Sequence, residues 1–222
     1  MRDGRSFWYR YEYGGYPGAY PGYYYVPPPR TRFGFSEDEI SDILVALGVL
    51  TVAFTLVMWK WGRGFPLVLA FPTAFGSVLT GFFLHEMGHR FVARRYGCWA
   101  EFRKWDLGLV LALLTAAVGF LFAAPGAVYI SGRVTRDANG KISLAGPLTN
   151  IFVGVFFYAM ASMPFTPPIA SFVFGWIAYI NAFLAFFNLL PIPPLDGSKV
   201  LAWNPGLYAV FMVFSLFLMF AM

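Results

Sequence analysis

The sequence predicts an all-α polytopic membrane protein with about five full transmembrane helices, a re-entrant segment and a short β-hairpin. Hydrophobic residues make up 59% of the 222 residues and charged residues only 12%, which is a membrane composition rather than a soluble one. A helix needs about 20 mainly apolar residues to cross a bilayer. The candidate runs are residues 40–59, 65–89, 144–163, 169–190 and 207–222.

The chain before the first run has a different composition. Residues 1–35 are rich in Tyr, Gly and Pro, and such a segment cannot bury a core. We therefore expect a disordered tail over residues 1–35, a flexible segment rather than an interaction arm. Residues 36–222 are expected to form one domain, which begins with the capping-box pattern of Ser36 and Glu39.

The net charge, the N-terminal sequence and the cysteine content bear on partners, membrane insertion and disulfide bonding. The net charge of +5 is typical of the basic loops of a membrane protein and does not indicate nucleic-acid binding. No signal peptide precedes residues 40–59, so this run is expected to stay in the bilayer as an anchor. Cys98 is the only cysteine, which excludes an intrachain disulfide.

The chain has only two histidines, and they lie four residues apart in His85-Glu86-Met87-Gly88-His89. On a helix both imidazoles share one face and can reach one metal ion, while Glu86 lies about 100° around the helix. From there Glu86 can act as a general base on a water bound to zinc. A structural salt link is the alternative, but ionisable residues in a span cost roughly 2.5–3.5 kcal/mol each. Two neutral imidazoles and one carboxylate, with no basic residue nearby, would form only a weak salt bridge.

A zinc site needs a third protein ligand, and the candidates are few. The chain has no other histidine, and Asp196 is the only other acid in or beside a late apolar run. It follows Pro191, Pro193 and Pro194, which break the helix of the preceding run. Open backbone at membrane depth is tolerated where it is buried in protein or lines a wet cavity. The alternative is a proline-rich loop with a solvated aspartate.

These paired motifs resemble the site-2 protease family of intramembrane zinc metalloproteases. The resemblance covers about residues 65–203, and a third family element lies at residues 145–150. It implies that His85, His89 and Asp196 bind one zinc ion and that Glu86 is the catalytic base. It also implies that Asn150 and Asn188 contact substrate, although helix–helix hydrogen bonding is an alternative for both. Ser198 departs from the family, which often has glycine there.

The run 107–124 is expected to enter the bilayer and return. If it crossed fully, Asp196 would emerge on the face opposite His89 and the site could not assemble. With a re-entrant run, 14 basic residues lie on the active-site side and only Lys60 and Arg63 on the other, against 10 and 6 for a full crossing. The run should continue into a hairpin of Gly126–Ser131 with residues 141–144, around a turn at residues 137–140.

The expected function is zinc-dependent hydrolysis of peptide bonds in or near transmembrane segments of other membrane proteins. The protein should be multi-pass in the cell membrane, with its N-terminus and active-site end in the cytoplasm. The alternative is a non-proteolytic protein that binds metal or helices, such as a pseudoprotease or scaffold. A metalloprotease of another family would need a glutamate ligand on a later helix, and no glutamate follows Glu101.

Overall fold

The computed structural model describes residues 8–9, 24–25, 34–61, 66–132 and 134–222. Residues 1–34 form one unit and residues 35–222 another. In the first unit, β1 (Trp8–Tyr9) pairs antiparallel with β2 (Tyr24–Tyr25). The rest of that unit up to residue 33 lies outside the described residues, so the disorder expected for residues 1–35 stays a prediction.

The second unit is mostly helical, as predicted. Four helical stretches of the described residues are long and apolar enough to cross a membrane: Glu37–Lys60, Leu67–Arg95, Arg136–Ala161 and Pro168–Asn188. They correspond to the first four predicted runs. The fifth run corresponds to α8 (Pro205–Ala221), whose 17 residues fall short of the usual span length. The structure thus carries four candidate spans, and a fifth stays a prediction.

The first span is tied to the rest of the domain at its N-terminal end. In α1 (Glu37–Trp61), Ser36 caps the helix by accepting a hydrogen bond from the Glu39 N–H at 2.9 Å. The Glu39 side chain does not reach back to Ser36 but turns inward. Its two oxygens accept hydrogen bonds from the Arg90 guanidinium at 2.7 and 2.9 Å, and one also accepts from the Phe102 N–H at 3.1 Å.

The second span is one rod with three parts. It consists of α2 (Leu67–Val78), a π-helical turn (Leu79–Phe83) and α3 (Leu84–Arg95). The α2 segment packs against α1 and a later helix, α6 (Pro168–Asn188), whereas α3 packs against α5 (Arg136–Ala161) and a strand. Gly88 allows a close approach between α3 and α5, because a side chain there would lie 2.9 Å from the Ala145 carbonyl oxygen.

A two-stranded hairpin follows α3. Its strands are β3 (Trp99–Lys104) and β4 (Gly126–Ser131), and α4 (Asp106–Ala117) lies between them. The pairing is antiparallel, with Trp99 opposite Ser131 and Lys104 opposite Gly126. The predicted strand Gly126–Ser131 is confirmed, but its partner is β3.

The prediction of a strand at residues 141–144 is wrong, because these residues lie inside α5. Thr135 caps this helix by accepting a hydrogen bond from the Ala138 N–H at 3.1 Å. Asp137 and Lys141, four residues apart, form an ion pair at 2.7 Å on the helix surface. Asp and Asn are common both in turns and in the first turn of a helix, and here the helix forms.

The last elements bring a carboxylate back to α3. The α6 helix ends at Asn188, and the proline-rich segment leads to α7 (Asp196–Trp203), which packs against α5 and α8. Asp196 is thus the first residue of α7, where the helix dipole favours a negative charge.

Candidate metal centre

Three side chains converge between α3 and α7. The Nε2 atoms of His85 and His89 lie 3.0 Å apart, and Asp196 Oδ2 lies 3.4 and 3.1 Å from them, respectively. All three residues are buried. The structure therefore brings together the three ligands predicted from the sequence.

The spacing of these atoms fits a zinc ion. Zinc binds imidazole nitrogen at about 2.0–2.1 Å in tetrahedral geometry, which puts neighbouring ligand atoms about 3.3 Å apart. The three measured separations fall close to that value. Two imidazoles and one carboxylate leave a fourth position open, as in catalytic zinc sites.

Both imidazoles are oriented through their other ring nitrogen. His89 Nδ1 donates a hydrogen bond to the carbonyl oxygen of Ile142 at 2.7 Å, and His85 Nδ1 donates to Asn150 Oδ1 at 2.5 Å. A proton on Nδ1 leaves the Nε2 lone pair free for a metal. The Ile142 contact was not foreseen, because nothing in the sequence marks a backbone carbonyl.

The protein leaves space for the ligands at Gly146 of α5. A side chain at this position would lie 2.4 Å from His89 Nε2 and 2.6 Å from His85 Nε2. Glycine is thus required by the approach of α5 to the two rings.

The Asp196 carboxyl is suited to bind a cation. Without a metal, burial acts to raise its pKa, but a protonated His89 and hydrogen bonds from Nε2 of the protonated rings hold that pKa well below its usual range. Lys199 also lies on the same side, with Nζ 3.6 Å from Asp196 Oδ1. The carboxyl is therefore ionised at neutral pH.

Glu86 lies beside the three ligands and does not join them. Its Oε2 accepts a hydrogen bond from the Val128 N–H of β4 at 3.0 Å. It faces a cavity of about 310 Å³, which is also lined by His85, His89 and Asp196. A carboxylate at this place can take up a proton from a water in the cavity.

The two predicted substrate-contacting asparagines lie in different surroundings. Asn188 lines the cavity, and its Nδ2 donates to the Leu184 carbonyl at 3.0 Å. Asn150 is fully buried behind His85, which favours a role in holding that ring. Substrate contact stays a prediction for both. Asn181, a fully buried partner of Asn150, was missed, and its only signal was a lone amide in an apolar run.

Membrane helices, an H-E-x-x-H helix and an aspartate that meets both histidines define a membrane-embedded zinc metalloprotease. Comparison with known proteins agrees, since residues 166–204 match the model of "Peptidase family M50". "Putative zinc metalloprotease MJ0611" of Methanocaldococcus jannaschii is 44% identical over 181 residues, which cover 80% of this chain and 91% of that protein. The chain belongs to peptidase family M50, and the resemblance to site-2 proteases is confirmed.

Two proteins of Mycobacterium tuberculosis are also similar. "Putative zinc metalloprotease Rip2" is 30% identical over 180 residues, which cover 72% of this chain and 69% of that protein. "Putative zinc metalloprotease Rip3" is 30% identical over 174 residues, which cover 75% of this chain and 40% of that protein. No solved structure matches the chain.

Proposed function

We propose that this protein is an intramembrane endopeptidase that hydrolyses peptide bonds in or near transmembrane segments of other membrane proteins. The observation that carries the proposal is that Asp196 converges with His85 and His89 beside Glu86, and that the last three residues lie on a candidate span. A site on such a helix is reached from the bilayer, where substrate helices lie. One ligand set among the described residues corresponds to one zinc ion per chain.

The residues of the site divide into ligands and a proton carrier. His85, His89 and Asp196 would hold the zinc, which supplies a Lewis acid for the scissile carbonyl and for the attacking water. Glu86 accepts the proton of that water and then passes it to the nitrogen of the leaving amine. Its place in the cavity wall, outside the ligand set, suits this role.

The edge of β4 that faces away from β3 is a candidate binding site for an unwound substrate. The Val128 N–H points away from β3 and toward Glu86, so the edge polar groups of Val128 and Ile130 face the cavity. A substrate helix hides its peptide groups and must unwind before cleavage. An unwound segment could pair with this edge by strand addition, which would hold its carbonyls near the metal.

The segment between β3 and β4 would be re-entrant. The Trp105 N–H donates to the Pro125 carbonyl at 2.9 Å, so the chain returns to the point where it left β3. The 12 residues of α4 reach only about 18 Å, less than the hydrocarbon core of about 30 Å. With this excursion and five spans, 14 of the 16 Lys and Arg residues would lie on the active-site side, which supports a cytoplasmic location for that side and for the N-terminus.

The test measures zinc content and cleavage of a transmembrane substrate by purified wild type, Glu86→Gln and Asp196→Ala. We expect about one zinc per chain in wild type and Glu86→Gln, less in Asp196→Ala, and cleavage by wild type alone. Zinc without cleavage of any substrate would favour the non-proteolytic alternative. Absence of zinc from folded wild type would overturn the site.

The strand-addition step has its own test. Ile130→Pro removes an edge N–H that faces the cavity without removing a bond to β3. Tyr129→Ala is the control, because it changes an exposed side chain of the same strand and keeps every backbone N–H. Ile130→Pro should slow cleavage with zinc content unchanged, and a wild-type rate in this variant would contradict the step.

A further inference from the structure

The two histidines are held in very different ways. His89 Nδ1 donates directly to a backbone carbonyl, that of Ile142. A carbonyl oxygen can only accept, so it fixes the proton on His89 Nδ1 without help. His85 Nδ1 instead faces the side-chain amide of Asn150. An amide can present either its oxygen or its NH2 group, and the two presentations have opposite consequences for the ring.

The orientation of the Asn150 amide decides which nitrogen of His85 can bind a metal. With Oδ1 toward the ring, His85 carries its proton on Nδ1 and presents the Nε2 lone pair to the site. With the NH2 group toward the ring, Nδ1 would have to accept. The neutral ring would then carry its proton on Nε2, and this nitrogen would have no lone pair with which to bind zinc.

Two contacts keep the NH2 group of Asn150 away from His85. Its Nδ2 donates to the Gly81 carbonyl at 2.9 Å and to Asn181 Oδ1 at 3.0 Å. Asn181 is oriented in turn, because its Nδ2 donates to the Ile177 carbonyl and to Thr80 Oγ1, both at 2.9 Å. Both asparagines are fully buried, so no solvent competes for these groups.

We propose that Asn181 is a positioning residue for the metal site, which acts through Asn150 to keep His85 in the tautomer that binds zinc. The chain of hydrogen bonds starts at the Ile177 carbonyl of α6 and ends at His85 on α3. Each link has one polarity, because the carbonyls of Ile177 and Gly81 can only accept. The proposal rests on the zinc-binding role of His85 proposed above.

The first readout is zinc affinity, measured by competition with a chelator. Loss of a contact that orients a metal-binding histidine weakens metal binding by about 10–100-fold. Asn181→Ala should show a loss at the lower end of this range, because the Gly81 carbonyl still accepts a hydrogen bond from Asn150 Nδ2. Thr80→Val removes the oxygen to which Asn181 Nδ2 donates and should weaken binding less. Thr73→Val is the matched control, because Thr73 Oγ1 donates to the Leu69 carbonyl and is hydrogen-bonded to neither asparagine.

The second readout is one that a general loss of stability would not produce. The chain has two histidines, so zinc-loaded protein with ¹⁵N-labelled histidine, purified through a tag without histidine, gives two Nδ1–H signals. In Asn181→Ala the His85 signal should shift and its proton should exchange faster with solvent. The His89 signal should stay unchanged, because Ile142 holds that ring.

The two readouts together decide whether Asn181 positions His85. Wild-type zinc affinity and an unchanged His85 signal in folded Asn181→Ala would overturn the proposal. If Asn181→Ala does not fold, Thr80→Val decides, and identity with Thr73→Val in both readouts would overturn it. Both readouts are taken without substrate, so a failure of the proteolytic assignment does not affect them.

Discussion

Replacing Gly146 by alanine should weaken zinc binding at the metal centre. The new Cβ would lie 2.4 Å from His89 Nε2 and 2.6 Å from His85 Nε2, whereas ordinary contact begins at 3.4 Å. The two nitrogens would have to retreat by about 0.8–1.0 Å. A zinc site tolerates shifts of about 0.2 Å in its ligand distances. The rings cannot retreat freely, because Asn150 and Ile142 hold them at Nδ1.

The expected result for Gly146→Ala is a loss of zinc affinity of at least the 10–100-fold that follows disturbed ligand support. Chelator competition measures it, and Gly154→Ala on the same helix is the control. Its Cβ would meet the nearest atoms at 3.4 Å or more, which is ordinary contact. Because alanine before Pro147 also strains the helix, the unfolding of the metal-free variant is measured alongside. Wild-type zinc affinity in folded Gly146→Ala would refute the reasoning.

Three further outcomes are expected. Removal of zinc by a chelator should abolish proteolysis, and added zinc should restore it; activity that persists after zinc is shown to be gone would contradict the site. Glu39→Gln should lower the free energy of unfolding by about 3–5 kcal/mol, because the buried Arg90 guanidinium loses the carboxylate charge that it pairs with. Asp42→Asn, which alters a longer and more exposed ion pair, should lower the free energy of unfolding by less than about 1 kcal/mol. Equal losses for the two variants in a denaturation assay would contradict the value expected for Glu39→Gln. Thr135→Ala should cost about 1 kcal/mol through loss of the α5 cap, whereas Thr135→Ser should be neutral in the same assay.

Features of the fold that depend on a single physical requirement could be predicted from the sequence. A bilayer demands about 20 apolar residues, so four predicted runs reappear as candidate spans. The cluster of His85, His89 and Asp196 could be expected because a chain with two histidines and one late acid offers few other combinations. The spans depend on the apolar composition of a run, and the metal cluster depends on a few side chains with no alternative in the sequence.

Features that depend on distant partners were not predictable in this way. Strand β3 contains Glu101 and Arg103, whose polar partners Ser36 and Asp42 lie some 60 residues earlier in the chain. The local sequence pattern therefore did not predict a strand there. The partner of β4 was misassigned for the same reason. The role proposed for Asn181 likewise depends on Asn150, which lies on another helix.

The π-helical turn at Leu79–Phe83 sets the rotational phase of the catalytic helix. His85 lies eleven positions after Ala74, which is about three turns of an uninterrupted α-helix and would point both side chains the same way. The wide turn accommodates about one extra residue and so rotates α3 by about 100° relative to α2. One continuous rod therefore presents small residues to α1 and α6 in its first half and imidazoles to α5 in its second. Deletion of a single residue from this turn would bring the two halves back into phase and direct both histidines away from Asp196.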